Sequence, residues 1–132
     1  MEKNQLMESK KCFCDAGLLF ENCCGLYLNN NQKAPSALTL MRSRYSAYAA
    51  HNADYLMETT YVSERKYYSK PEILRWAVSN KWQKLEILSS SENTVEFKAY
   101  FLDSDNRQQV HYEFSTFKFE NGAWYYLDGK FE

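Results

Sequence analysis

Apolar positions change their period once along this chain. Leu38, Met41, Tyr45 and Ala49 recur at helical spacing and predict one long helix from about Ala37 to Ala50, with Ser36 as its N-cap. Arg42 lies four residues after Leu38 and three before Tyr45, so this stripe places a guanidinium on the buried side. A second helix is expected from Asn52 or Asp54 through "DYLMETT", followed by a short extended piece, "TYVSE". A third is expected at "SKPEILRWAVSNK", where Ser69 and Glu72 form a capping-box pair and Pro71 sits in the first turn. From Trp82 onward the period is two. Val95, Phe97, Ala99 and Phe101 alternate with Glu96, Lys98 and Tyr100, a second alternating run follows from Gln109 to Glu120, and Asn121-Gly122 predicts a hairpin into "AWYYLDG". Helices first and an antiparallel meander afterwards is an α+β pattern. There is no internal repeat, low-complexity tract or heptad run.

Composition narrows the picture. The chain has 132 residues and is 45% hydrophobic, which suits one core and leaves too little for a second. The 11 tyrosines and 8 phenylalanines favour strands and a lined cavity over a helical bundle. A net charge of -1, with aromatics that do not alternate with Lys and Arg, argues against nucleic acid as a partner. The N-terminal "MEKNQLMESKK" is polar, and no apolar run approaches the roughly 18 residues of a membrane span, so a cytoplasmic protein without membrane attachment is expected.

All four cysteines lie within "CFCDAGLLFENCC". Cys12 and Cys14 form one doublet and Cys23 and Cys24 a second, with Gly17 able to take the positive φ of a tight reversal between them. Four sulfurs on a short loop suit a single tetrahedral structural zinc. A disulfide framework would need an oxidising compartment and would tie down only a local loop. A redox pair would lack the usual C-x-x-C spacing.

The segment resembles the SEC-C motif, a cysteine-rich zinc element also found at the C-terminal end of the bacterial preprotein translocase ATPase. With "LMRSRYSAY" and "WYYLDG" further on, the chain resembles the bacterial YchJ-like family, in which this motif precedes a domain similar to nuclear transport factor 2. The resemblance implies a polar tail over residues 1–11, a zinc knuckle over 12–30 with Cys12, Cys14, Cys23 and Cys24 as ligands, and a cone-shaped domain over 31–132. In such a cone a curved sheet wraps a long helix and leaves a pocket. The usual C-x-C-G-S-G loop is replaced here by Asp15, Ala16 and Gly17, and the motif's basic residues are replaced at Leu19 and Glu21. This removes the charges that would dock an acidic protein partner, as the motif does in the translocase.

Candidate pocket residues are Arg42, Arg44, Tyr45, Tyr48, His111, Glu113, Trp124 and Asp128. A buried Arg42 would need a carboxylate, and Glu113 or Asp128 could supply it. His111, Glu113 and Ser115 share one strand face, but successive same-face residues sit about 7 Å apart, so a direct His-Ser pair is out of reach and a solvated face is expected. Two functions are open. One is a zinc-carrying binding or adaptor module, with a protein partner taken through the zinc knuckle or a face of the cone, or a small ligand in the cone pocket. The other is a pocket enzyme of the isomerase, dehydratase or cyclase type, using Asp128 or His111 as general base, for which a cavity of about 300 Å³ or more is expected. Self-association through the open sheet is a further possibility, with no pairing surface identified.

Overall fold

The computed structural model describes residues 10–131; most of the polar tail expected over residues 1–11 lies outside them. The cysteine loop leads through a 3-10 turn, Phe20–Asn22, into a short helix α1, Gly25–Leu28. Three helices follow, α2 (Ala37–Ala49), α3 (Ala53–Glu58) and α4 (Lys70–Ser79), and then four strands, β1 (Lys81–Ser90), β2 (Thr94–Leu102), β3 (Gln108–Glu120) and β4 (Ala123–Phe131). The strands form one antiparallel sheet in sequence order. Ser36, Asn52 and Ser69 each accept a backbone N–H in the first turn of their helix, as their side chains suit them to do. Asn121 and Gly122 both have positive φ, 52° and 81°, the conformation a two-residue hairpin requires. Among the described residues no helix is long and apolar enough to cross a membrane.

Two local expectations are corrected. The segment after α3 is a 3-10 helix, Val62–Tyr67, where an extended piece was expected. Its start is fixed by tertiary pairing, with Tyr61 N–H donating to the Tyr126 carbonyl at 2.8 Å and Tyr126 N–H to the Thr59 carbonyl at 2.7 Å. The second correction concerns α2. Instead of one apolar stripe, it buries Ala37, Leu40, Met41, Ser43, Arg44, Tyr45, Ser46 and Ala47, because the sheet, the knuckle and the other helices enclose it on several sides. Leu38 and Ala49, two members of the expected stripe, are only half-buried.

The sheet obeys its period more closely. Val95, Phe97, Ala99 and Phe101 are buried on β2, and Glu113, Ser115 and Phe117 continue the same face on β3. On β4 the period breaks. Phe117 pairs with Tyr126 but Thr116 pairs with Asp128, so Leu127 is an extra residue, a bulge that reverses the facing of everything after it. Tyr126 and Gly129 therefore share the inner face, and Asp128 turns outward. Cys12, Cys14 and Cys24 belong to the same apolar cluster as Leu40, Tyr45, Leu85 and Phe97, so the knuckle is packed into the core of the sheet domain.

Candidate functional site

The cysteine cluster forms where two local reversals meet. Asp15 and Gly17 both take left-handed backbone, with φ of 64° and 89°. Cys12 N–H then donates to the Leu18 carbonyl at 2.8 Å, closing the first half of the loop. Cys24 caps α1, and Gly25 behind it packs so closely that a Cβ would lie 2.7 Å from the Phe20 carbonyl. The four sulfurs lie within 4.8 Å of one another, with Cys14 and Cys23 at 3.6 Å. Cys12, Cys14 and Cys24 are buried and Cys23 half-buried.

The thiols compete for negative charge. Hydrogen bonds from Cys14 and Cys24 hold Cys12 far below the ordinary thiol range. Cys24 is raised, first by its hydrogen bond to Cys12, and burial with the neighbouring thiols pushes Cys23 up to about 12. A bound cation would let the remaining sulfurs ionise together. These four cysteines could hold a metal ion, and the donor set suits a soft or borderline one.

Three polar contacts tie the loop to the rest of the molecule. The Arg42 Nη1 donates to the Cys14 carbonyl at 2.8 Å, the Asp15 Oδ2 accepts from the Leu85 N–H at 2.9 Å, and the Cys12 sulfur lies 3.5 Å from the Ser46 hydroxyl. The expected Arg42–carboxylate bridge is absent among the described residues. Arg42 is half-buried and points to the knuckle, because the sheet meets α2 on another side. Asp15 takes left-handed backbone, which glycine adopts most readily, and adds a side-chain bond to the sheet.

The buried guanidinium belongs to Arg44, which is 9% exposed. Its Nη1 donates to the Leu56 carbonyl at 3.0 Å and to the Thr59 hydroxyl at 2.7 Å, and its Cζ lies 4.5 Å from the centre of the Tyr126 ring. Arg44 lines a cavity of about 170 Å³ between α2 and the sheet, together with Tyr45, Tyr48, His111 and Glu113. Trp124 and Asp128 do not line it. Trp124 borders a separate groove near Tyr27 and Tyr55, and Asp128 is exposed because of the bulge at Leu127.

Glu113 organises the inner face of β3. Its Oε1 is 2.9 Å from His111 Nε2, and its Oε2 accepts from Ser115 Oγ at 2.6 Å and Tyr126 OH at 2.7 Å. The solvated face expected here is thus buried, with Glu113 7% and Ser115 1% exposed. His111 and Ser115 are too far apart to bond directly, and the carboxylate between them spans the gap. Burial alone would raise the Glu113 carboxyl, but the bonds from His111, Ser115 and Tyr126 hold it below its ordinary value. The stability this confers is therefore complete above the unfolded value of about 4.3 and is lost as pH falls through the lower folded value. In Glu113→Gln that acid-side loss should be smaller, as urea midpoints measured from pH 7 down to pH 3 would report; an unchanged pH slope would contradict the assignment.

Gly129 was not among the candidate residues, although its neighbour Asp128 was. It lies within β4 opposite Ser115, where a Cβ would overlap the Glu113 carboxylate and come 2.6 Å from the Tyr126 hydroxyl. Nothing in the local pattern marks this role, since it depends on a residue sixteen positions away on the neighbouring strand.

Comparison with known proteins agrees with this arrangement. Residues 36–129 match a family model described as the YchJ middle domain, similar to nuclear transport factor 2. A UPF0225 protein of Photorhabdus laumondii is 38% identical over 126 residues, covering 89% of this chain and 79% of its own. One of Geobacter sulfurreducens is 34% identical over 125 residues, covering 89% and 77%. The solution structure of a SEC-C motif containing protein from Rhodopseudomonas palustris superposes with a TM-score of 0.82 at 35% identity, over 90% of this chain and 96% of that one. A crystal structure of another SEC-C motif containing protein, from Psychrobacter arcticus, gives 0.78 at 32%, over 93% and 83%. A cysteine cluster packed against a cone-shaped α+β domain, matched along most of its length by these relatives, places the chain in the YchJ-like UPF0225 family of SEC-C motif proteins.

Proposed function

We propose that Cys12, Cys14, Cys23 and Cys24 hold one structural zinc ion, and that the chain is a binding module whose cone domain receives a protein or a small ligand. The observation that carries the zinc reading is the convergence of four sulfurs within 4.8 Å. Thiolates about 2.3 Å from a tetrahedral zinc stand about 3.8 Å apart, close to the 3.6 Å between Cys14 and Cys23. No fifth ligand is needed, and a closed four-sulfur set of this kind is structural, not catalytic.

Two observations favour binding over catalysis. The cavity, about 170 Å³, falls short of the roughly 300 Å³ expected for a pocket enzyme and leaves room only for a small ligand. Of the two expected general bases, Asp128 is exposed outside it, and His111 is paired through Nε2 with Glu113 instead of standing free in it. With Leu19 and Glu21 in place of basic residues, the knuckle serves this chain by ordering the loop against α2 and β1, in a cytoplasmic setting that keeps thiols reduced. Elemental analysis of protein purified without a metal-affinity tag should find about one zinc per chain. A stoichiometry near zero, in protein kept reduced throughout, would end the zinc reading.

A further inference from the structure

We propose that the cavity between α2 and the sheet is a binding site for a small organic monocarboxylate, held by the Arg44 guanidinium edge and the Tyr48 and Tyr68 hydroxyls. The proposal rests on the reading of the chain as a binding module and follows from counting donors and acceptors around the cavity. Glu113 has accepted from Ser115 and Tyr126 and pairs with His111, so the acidic group of the site is already satisfied. Arg44 is not. Among the described residues every hydrogen bond it makes leaves from Nη1. No buried side-chain nitrogen or oxygen among the described residues lacks a partner, so Nε and Nη2 keep accessible surface although the residue is 9% exposed. The Tyr126 ring contacts the guanidinium through its π-system, with Cζ 4.5 Å from the ring centre, and takes no hydrogen bond from it.

Tyr48 and Tyr68 line the same cavity, and no hydrogen bond engages either hydroxyl among the described residues. Arg44 and Glu113 line that cavity with them. The site therefore has donors in excess, and its occupant must bring acceptors. A carboxylate matches the planar guanidinium edge with two parallel bonds. A dianion fits less well, because the Glu113 carboxylate lines the same space. Trp82, Phe97 and Phe117 supply an apolar wall for the rest of the molecule, and about 170 Å³ limits it to one ring or a short chain.

The test is a titration of the full chain, metal content verified on the same sample, with benzoate, hexanoate and their amides, followed by amide NMR at low salt. The acids should bind about tenfold or more tightly than the amides, with shifts centred on Tyr48, Trp82 and Phe97. Tyr48→Phe should weaken the preferred acid about three- to tenfold and leave its amide unchanged. Arg44→Lys, which keeps the charge and loses the fork, should weaken it about tenfold or more. Should Arg44→Lys fail to fold, Tyr48→Phe still decides. Equal binding of acids and amides, no saturable binding of any of them, shifts centred elsewhere, or tighter binding of inorganic phosphate would each overturn the proposal. A chain that carries one zinc but shows no acid preference would lose this proposal alone, while a zinc-free chain that prefers acids would lose only the metal reading.

Discussion

Cys24→Ser is expected to lower the unfolding free energy of the whole molecule by about 3 kcal/mol or more, and to abolish metal binding, in a single cooperative transition. If the knuckle were a separate unit, loss of one thiol would disorder the N-terminal segment and leave the cone's own transition in place. The seam argues otherwise. Cys14 and Cys24 are 0% and 2% exposed and sit in one apolar cluster with Leu40 and Phe97. Arg42 and Asp15 add hydrogen bonds from the loop to α2 and β1. Without a metal the loop loses the crosslink that holds its doublets together, and part of the core is opened to water. Trp82 is a natural reporter, since it packs on Tyr45 and against the apolar cluster that includes Cys12, Cys14 and Cys24. Denaturation followed by tryptophan fluorescence should show a shifted midpoint in Cys24→Ser and, equally, in wild-type protein washed with chelator. An unmoved tryptophan transition in a demonstrably metal-free sample would mean that the knuckle and cone fold independently.

Gly129→Ala should cost about 3 to 5 kcal/mol, although the position is a strand interior with no unusual backbone conformation. The added methyl would occupy the space of the Glu113 carboxylate and crowd the Tyr126 hydroxyl. Glu113 would have to leave Ser115 and Tyr126, and a buried carboxylate deprived of those donors is strongly unfavourable. The origin of the effect can be isolated by a double-mutant cycle. Glu113→Ala removes the group that collides, so in that background Gly129→Ala should become cheaper by about 1 to 3 kcal/mol. Additive costs in equilibrium unfolding would place the glycine's role elsewhere.

Both predictions concern residues whose chemistry is local but whose partners are not, and legibility in the sequence divides along that line. The caps Ser36, Asn52 and Ser69, the turn at Asn121-Gly122 and the alternation from Val95 to Phe101 are written in neighbouring residues, and the elements form where those signals place them. The clustering of four cysteines within thirteen positions makes their convergence legible too, because a loop that short can scarcely keep its doublets apart. The cavity was only partly legible. Arg44, Tyr45, Tyr48, His111 and Glu113 do line it. Arg42 was expected there because a helix with one buried stripe would carry it inward, whereas α2 is enclosed on several sides and sends it to the Cys14 carbonyl.

From its sequence alone this chain determines its class, its element order and the thiol cluster that its family shares, since each depends on residues close together along the backbone. Tertiary structure decided which arginine is buried, that Glu113 rather than Asp128 faces the cavity, and why residue 129 must be glycine. One inserted residue, Leu127, separates the two outcomes on β4: with a side-chain period of two, a single bulge exchanges the inner and outer faces of all that follows, and only pairing with β3 shows where it falls.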